Sequence, residues 1–417
     1  MSDTCRNWDW VRSGCLALSI AAVATWAQAA DVGISDVEIV IGSSVPLSGP
    51  NASFSPMGRA QRACYESINA DGGIKMGDGK VRKIKFVMYD DAMEPARALQ
   101  NARRLVTQDK IFAVVGAGGT GANLGSRPYY NAEKVPQAFI GSGGPMFGSK
   151  DEVEKFPWSF AGIPAYNTEA ALYAAFIKEH FPKAKVALLS DDSGGPFFAK
   201  GFLKASKELG LNLILHEEHS YSEATIDAKI DRIAASGADL FVEATTPKFV
   251  AQAIKRMAAI NWKPTHVVWG VGASISGTLQ PAGVDLSKGT YTGLWLKDQA
   301  SVAYADDLDM KAYKAGLNKY DSALQSADQS AAMGWYFCQA NKAILERTKA
   351  PTRAAYMEAA RNLDQVKVPL LIDGITLTTK GVSDGYPIES MQMGQFDGVK
   401  FAPLGGVVSY EGKTPAP

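Results

Sequence analysis

The apolar run 111–115 ends abruptly in Gly116-Ala117-Gly118-Gly119-Thr120-Gly121, and a helix start follows at Ala122. This pattern reads as strand, tight turn, helix. Glycines there let the backbone turn sharply and bring a small anion within reach of bare N–H groups at a helix start. The same letters fit G-x-G-x-x-G as Gly116, Gly118 and Gly121, a dinucleotide pattern. That pattern belongs after the first strand of its unit, with a carboxylate about 20 residues further on. Here two strands precede the turn, and the next strand, 135–140, ends in Gly141-Ser142-Gly143-Gly144 with no acid. A second Gly/Ser turn following the first favours a small-molecule site over a nucleotide site and over a purely structural turn.

The surrounding chain alternates strand with helix. Residues 38–42, 84–89, 111–115 and 135–140 read as strands. Helix 56–70 stops at the glycine cap Asp71-Gly72-Gly73, and Pro95 opens the next helix at a favoured first-turn position. From Trp158 the rhythm restarts, with strands at 186–190, 211–215, 240–243, 266–269 and 291–296. Alternation of this kind predicts parallel sheets with helices on both faces, hence an α/β chain of two doubly wound parallel-sheet lobes. Helix 331–345 has no new strand set to cover, so it is expected to return to the first lobe. The expected division is 36–161 with 297–376 in the N-terminal lobe, and 162–296 with 377–410 in the C-terminal lobe. Ligands bind beyond the carboxyl ends of strands in such sheets. Phe54, Thr120 and Ser142 all fall in loops after those ends.

Both termini read as separate from this body. Arg6 and Arg12 precede a short apolar stretch, 14–25, and Ala27-Gln28-Ala29 is a small-x-small cleavage pattern. Residues 1–29 are therefore expected to be a signal peptide, cleaved on export to the periplasm. Residues 411–417 are polar and proline-containing and are expected to be a flexible tail. Cys5 and Cys15 leave with the leader. Cys64 and Cys338 remain and are able to pair in an exported chain. Cys64 lies on an apolar helical face with Met57, Ala60 and Ile68, and the expectation is a buried free cysteine.

Charge and motifs narrow the function. Lys and Arg number 43 against 43 Asp and Glu, so no basic excess points to nucleic acid or anionic membrane. There are four histidines, and His216 and His219 would sit on opposite faces of a strand. No nucleophile-elbow, zincin or Walker pattern occurs. Asp90-Asp91 and Asp191-Asp192 follow strands, where acids usually cap the next helix. The reading is a binding protein with no catalytic residue, metal or cofactor. A periplasmic enzyme or a ligand-sensing module on the same cleft is the alternative.

Five stretches together carry a family likeness: Val45-Pro46-Leu47-Ser48-Gly49-Pro50, Ile68-Asn69-Ala70-Asp71-Gly72-Gly73-Ile74, Tyr89-Asp90-Asp91-Ala92-Met93-Glu94-Pro95, the glycine turn, and Pro247-Lys248-Phe249-Val250-Ala251. In this order they resemble the periplasmic branched-chain amino-acid-binding family, the type I solute receptors of ATP-driven (ABC) importers. The resemblance covers nearly the whole chain after the leader. It implies two lobes joined by three crossings, a small carboxylate ligand in the cleft, membrane permease subunits as partners, and a monomer.

Position by position, the resemblance makes Thr120, beside Gly119, the hydroxyl residue holding the ligand carboxylate. Ser142, Gly143 and Gly144 form the second turn around the ligand's polar head. Phe54 matches a pocket aromatic, and Tyr166 stands at the first crossing. Phe197 or Phe198 matches a second-lobe aromatic, the choice staying open. Thr245 and Thr246 fall where the amino-acid receptors carry tyrosines. Those receptors place a glutamate after the strand matching 266–269, facing the ligand ammonium. Here that turn reads Trp269-Gly270-Val271-Gly272. An ammonium with no counter-charge in a dry cleft is costly, which points to an aromatic or keto acid. Glu243 is the alternative counter-charge, which leaves a hydrophobic or branched-chain amino acid open. The family's usual disulfide is missing, since Met93 stands at one of its cysteine positions.

Overall fold

A computed structural model describes residues 30–415. The expected leader, 1–29, lies outside the described residues. Two sheets organise the chain. The first contains β1 (Glu38–Val45), β2 (Ile74–Lys75), β3 (Val81–Asp90), β4 (Ala113–Val115), β5 (Gln137–Ile140) and β6 (Ser159–Ala161). Its order is β2-β3-β1-β4-β5-β6, parallel except for the short edge strand β2. The second contains β7 (Lys185–Asp191), β8 (Asn212–His219), β9 (Leu240–Ala244), β10 (Thr265–Val268), β11 (Tyr291–Leu294), β12 (Ser390–Phe396) and β13 (Phe401–Ser409). Its order is β13-β12-β11-β10-β9-β7-β8, parallel from β8 to β11, then antiparallel through β12 and β13.

Each sheet reverses its winding at one place. In the first, β1 has β3 on one side and β4 on the other; in the second, β7 lies between β9 and β8. At such a switch point the loops leaving adjacent strands diverge to opposite faces and open a crevice. The loops after β1, β4, β7 and β9 therefore decide where a ligand can sit.

The chain passes between the sheets three times. It leaves the first after β6, returns after β11, and goes back to the second before β12. The last two passages are bonded together: Lys297 N–H donates to Leu370 O, and Ile372 N–H to Trp295 O. Lys297 Nζ, itself buried, bridges Asp307 at 2.6 Å and Asp373 at 3.3 Å.

Helix Gln329–Leu345 packs on helix Ser55–Ala70 of the first lobe. The approach is close at Gly334, where a Cβ would lie 1.8 Å from the Met57 carbonyl oxygen. The expectation of free cysteines is wrong: Cys64 and Cys338 form a disulfide between these two helices. The apolar face that suggested burial was read correctly, since both cysteines are 0% exposed. Their partnership is a contact across 274 residues, which no local pattern shows.

The tail also differs from expectation. Gly412 and Thr414 N–H donate to the two oxygens of Glu389, and Thr414 Oγ1 meets Thr168 Oγ1 at 2.8 Å. Asn167 Nδ2 donates to Pro415 O. Residues 411–415 are thus tied to Glu389 and to the start of helix Tyr166–His180 rather than loose.

Candidate functional site

Side chains from both lobes converge on one cleft. From the first come Phe54, Met57, Met93, Gly118, Gly119, Thr120 and Gly141; from the second Asp191, Ser193, Gly194, Thr246, Trp269 and Val271. Tyr166 joins from the first passage, and Met333 from the returning helix. The free space between them is small, about 50 Å³. The lobes therefore have to part to admit anything much larger than a few waters. A larger hollow of about 980 Å³ lies behind the paired passages, against Lys297, Asp364 and Glu411. It is an open, charged groove away from both switch points, so volume alone does not mark the binding site.

The first-lobe wall is built by the glycine turn. Gly119 adopts φ 85° as the N-cap of helix Thr120–Ala132. A left-handed φ is inexpensive only for glycine. The turn is rigid because its own amides are used: Gly118 N–H donates to Ser44 O, and Gly119 N–H to Gly141 O. These amides are not bare, contrary to the simple reading of the glycines. The donors left over are those of the first helical turn, at Thr120, Gly121 and Ala122, which lack intrahelical partners. Asn123 N–H already closes onto Gly119 O. A 13-residue helix also directs its positive end here.

Thr120 and Ser142 form a relay. Gly144 N–H donates to Ser142 Oγ at 3.1 Å, and Ser142 Oγ lies 2.7 Å from Thr120 Oγ1. If Ser142 donates onward, the Thr120 hydroxyl proton is released toward the cleft. Burial pushes the Tyr166 phenol up to about 12 against the opposing pull of these hydroxyls, so Tyr166 is a neutral donor. Met93 covers Gly119, and the chain adopts φ 51° and 64° at Ala92 and Met93 to aim it there. Asp91 Oδ1 holds that bend by accepting from Met93 N–H at 2.8 Å. Two successive non-glycine residues at positive φ are strained.

The second-lobe wall is aromatic and acidic. Trp269 faces Tyr166 with ring centroids 4.9 Å apart, and its Nε1–H donates to Thr245 O at 2.6 Å. Gly194 is the floor beneath both rings. A Cβ there would come within 2.9 Å of each. Beside it Asp191 caps helix Gly195–Leu209, with Oδ1 accepting from Ser193 and Gly195 N–H at 2.8 and 3.0 Å.

Of the residues singled out from sequence, Phe54, Gly119, Thr120, Tyr166 and Thr246 line the cleft. Ser142 stands one hydrogen bond behind it, through Thr120, and Gly144 a second hydrogen bond behind Ser142. Gly143 lies under Tyr166, where a Cβ would be 2.5 Å from the ring. The others are elsewhere. Phe198 is buried between Phe202, Tyr173 and Trp269. Phe197 faces a separate hollow with Pro145 and Pro415. Gly270 N–H donates to Glu169 beneath the turn. Thr245 is turned inward, and its hydroxyl donates to Glu243 Oε1 at 2.7 Å.

Glu243 itself is fully buried and not on the cleft wall. Its Oε2 meets His266 Nε2 at 2.9 Å, so both oxygens are already engaged. The strand ends just after Glu243, but its carboxylate is held by His266 of the adjacent strand and by Thr245. Glu243 is not a counter-charge in the cleft. Among the described residues one Ser–His pair occurs, Ser190 with His216 at 3.0 Å. Ser190 is 0% exposed, so no substrate carbonyl reaches it.

Sequence reasoning missed Asp191, Ser193 and Gly194. The switch-point rule that located Thr120 also locates them, once β7 is known to lie between β8 and β9. Met57, Met333 and Trp269 carried only the signal of core residues.

Two α/β lobes that present their switch-point loops to one shared cleft define a two-lobed ligand receptor. The family model described as Periplasmic binding protein matches residues 38–400, and the chain belongs to that family. Its members are periplasmic solute-binding proteins rather than enzymes. An amino acid binding protein of Pseudomonas aeruginosa is 31% identical over 236 residues, 55% of this chain and 58% of that protein. The chain thus spans little more than half the length of that relative. Leu/Ile/Val-binding protein homolog 7 of Brucella abortus is 24% identical, over 72% of this chain and 74% of that one.

Two solved structures share the fold. A branched-chain amino acid ABC transporter protein from Thermus thermophilus with bound valine has a TM-score of 0.77 at 18% identity, covering 90% of this chain and 97% of that one. A solute-binding protein from R. palustris in complex with 4-hydroxybenzoate has a TM-score of 0.73 at 16% identity, covering 89% and 97%.

Proposed function

We propose that this chain is the solute receptor of an ATP-driven importer. It closes on a small carboxylate with an aromatic or large apolar body and hands it to membrane permease subunits. The observation that carries this reading is the pairing of the Thr120–Ser142 relay at a helix N-terminus with the Trp269–Tyr166 wall across one cleft. Helix-start amides and a released hydroxyl suit a carboxylate. Met57, Met93, Met333 and Phe54 suit the apolar body, since methionine adapts to irregular shapes and packs well on rings. Relatives named for leucine, isoleucine and valine, and a fold neighbour holding 4-hydroxybenzoate, fit the same description.

On this reading residues 1–29 are a cleaved leader, and the lobes are 36–161 with 297–376 and 162–296 with 377–410. The receptor works as a monomer. The Cys64–Cys338 disulfide agrees with an oxidising compartment. Because ligand contacts fall on both lobes, binding favours the closed form.

The test is a thermal-shift panel of aromatic acids, keto acids and hydrophobic amino acids, with the ligands recovered and analysed afterwards. A receptor shows a raised melting temperature and unchanged ligand. Turnover of any ligand would show an enzyme instead. A panel without a single stabilising carboxylate would reject the ligand class.

A further inference from the structure

Among the described residues Asp191 is the one acid on the cleft wall, and half of its carboxylate is unused. The side chain is 1% exposed. Oδ1 is occupied by the Ser193 and Gly195 amides, whereas Oδ2 is buried and has no hydrogen-bond partner. A buried carboxylate oxygen without a donor is costly, and its persistence needs an explanation. The nearest candidate is His219, whose charge pulls the Asp191 carboxyl down but which makes no hydrogen bond to it. His219 pairs with Asp191 in strand register, but its Nδ1 meets Ser220 O at 2.9 Å and its ring lies against Phe249. His219 Nε2 is itself unpartnered, so the two groups are not hydrogen-bonded to each other. Asp192 uses an oxygen on Tyr221 N–H.

Resting on the receptor reading above, we propose that Asp191 Oδ2 accepts a hydrogen bond from the ligand. The ligand is then a carboxylate that carries a separate donor, an ammonium or a hydroxyl. Its carboxylate sits on the first-lobe relay and its donor on the second-lobe acid. This supplies the acceptor that Glu243, bound to His266 and Thr245, does not. It also gives each lobe one polar anchor of opposite character, so a ligand lacking either end joins the lobes poorly. Burial holds the Asp191 carboxyl above its ordinary range. A donor arriving at Oδ2 should lower it, because a hydrogen bond to a carboxylate favours the charged form.

Sites built to bond a substrate N–H or O–H discriminate strongly against analogues that lack it, because a buried acceptor is left unpaired. The test uses matched ligands on the intact mature protein. Phenylalanine is compared with 3-phenylpropionate, and 4-hydroxybenzoate with benzoate, by calorimetric titration. Wild type should prefer the donor-bearing member of one pair by about tenfold to a hundredfold or more. The pair that shows the preference tells ammonium from hydroxyl. Asp191→Asn keeps a carbonyl oxygen for the helix cap and loses the acceptor charge. It should melt near the wild-type temperature and abolish that preference.

Preference in neither pair would overturn the assignment in wild type alone, whatever the variant does. Equal losses for both members of a pair in Asp191→Asn would also overturn it, since the substitution would then act through the loop that Asp191 holds and not through a ligand donor. Tight, equal binding of all four ligands would leave the receptor standing without this anchor. No binding by any of the four would overturn this assignment, and with an empty thermal-shift panel the carboxylate reading as well.

Discussion

The two walls of the cleft solve the same problem by different means. The first-lobe wall is a preformed backbone turn, with Gly118 and Gly119 amides tied into the sheet and hydroxyls at a helix start. The second-lobe wall is made of side chains, namely Trp269, Thr246 and Asp191, around the space left by Gly194. One wall donates hydrogen bonds; the other accepts them and supplies a π face. Beneath each lies a buried carboxylate holding the loop. Asp91 braces the Met93 bend on the first lobe, and Glu169 braces Gly270 on the second. Burial pushes Asp91 up to about 6 and Glu169 up to about 7. The first lobe is further fixed by the disulfide to the helix that carries Met333.

This contrast predicts its own asymmetry under perturbation. The largest effect should come from opening the Cys64–Cys338 bond. It spans 274 residues, and loss of a disulfide typically costs about 2–5 kcal/mol. Denaturant unfolding of Cys64→Ser/Cys338→Ser should show that loss, with the Met57 and Met333 side of the cleft loosened first. Hydrogen exchange should locate the added opening in helices Ser55–Ala70 and Gln329–Leu345 rather than in β7–β11. Loss of protection spread evenly over both lobes would break the comparison.

A second perturbation acts on the other wall. Glu169 accepts from Gly270 N–H at 2.5 Å and from Tyr173 O–H at 2.6 Å, and desolvation is the main cause of its raised pKa. Folded, it keeps its proton up to about pH 7; the ordinary glutamate value is 4.5. The folded state therefore binds more protons between these two values. Stability falls as pH rises through that window and levels off above it. Glu169→Gln keeps an acceptor for Gly270 and removes the titration. The wild-type stability curve between pH 4.5 and 8 should slope downward more steeply than that of Glu169→Gln. Parallel curves would reject Glu169 as a buried acid under the second wall.

The same contrast explains what the sequence reveals. The first wall is written locally. Strand, glycines, Thr120 and the Ser142 turn lie within 32 residues of one another, counted from Ala113 to Gly144. Alternating strand and helix likewise announces both α/β lobes. The second wall depends on which strand lies beside β7, on Trp269 turning toward Tyr166, and on where Glu243 points. Glu243 was legible as an acid at a strand end. That it turns inward to His266, while Asp191 keeps an oxygen free, is settled by packing across the sheet. The disulfide and the docked tail are of the same kind: contacts between distant segments with no periodic signature.

The smallest expected effect separates two hydroxyls on the first wall. Thr120 stands on the cleft, and Ser142 stands behind it at 2.7 Å. Thr120→Val keeps the shape and removes the donor to the ligand carboxylate. Hydrogen bonds to charged groups contribute roughly 1.5–3 kcal/mol, so affinity should fall by about tenfold to a hundredfold. The empty protein should also lose a little stability, about 1 kcal/mol, because the bond to Ser142 goes with it. Ser142→Ala breaks the relay from Gly144 but leaves the Thr120 hydroxyl in place, free to rotate toward the ligand. Its affinity loss should be several-fold smaller than that of Thr120→Val, with a similar loss of stability. Titration and melting of both variants decide the matter. Equal affinity losses would make the pair a single anchor, whereas unchanged affinity in Thr120→Val would move the carboxylate site off this turn altogether.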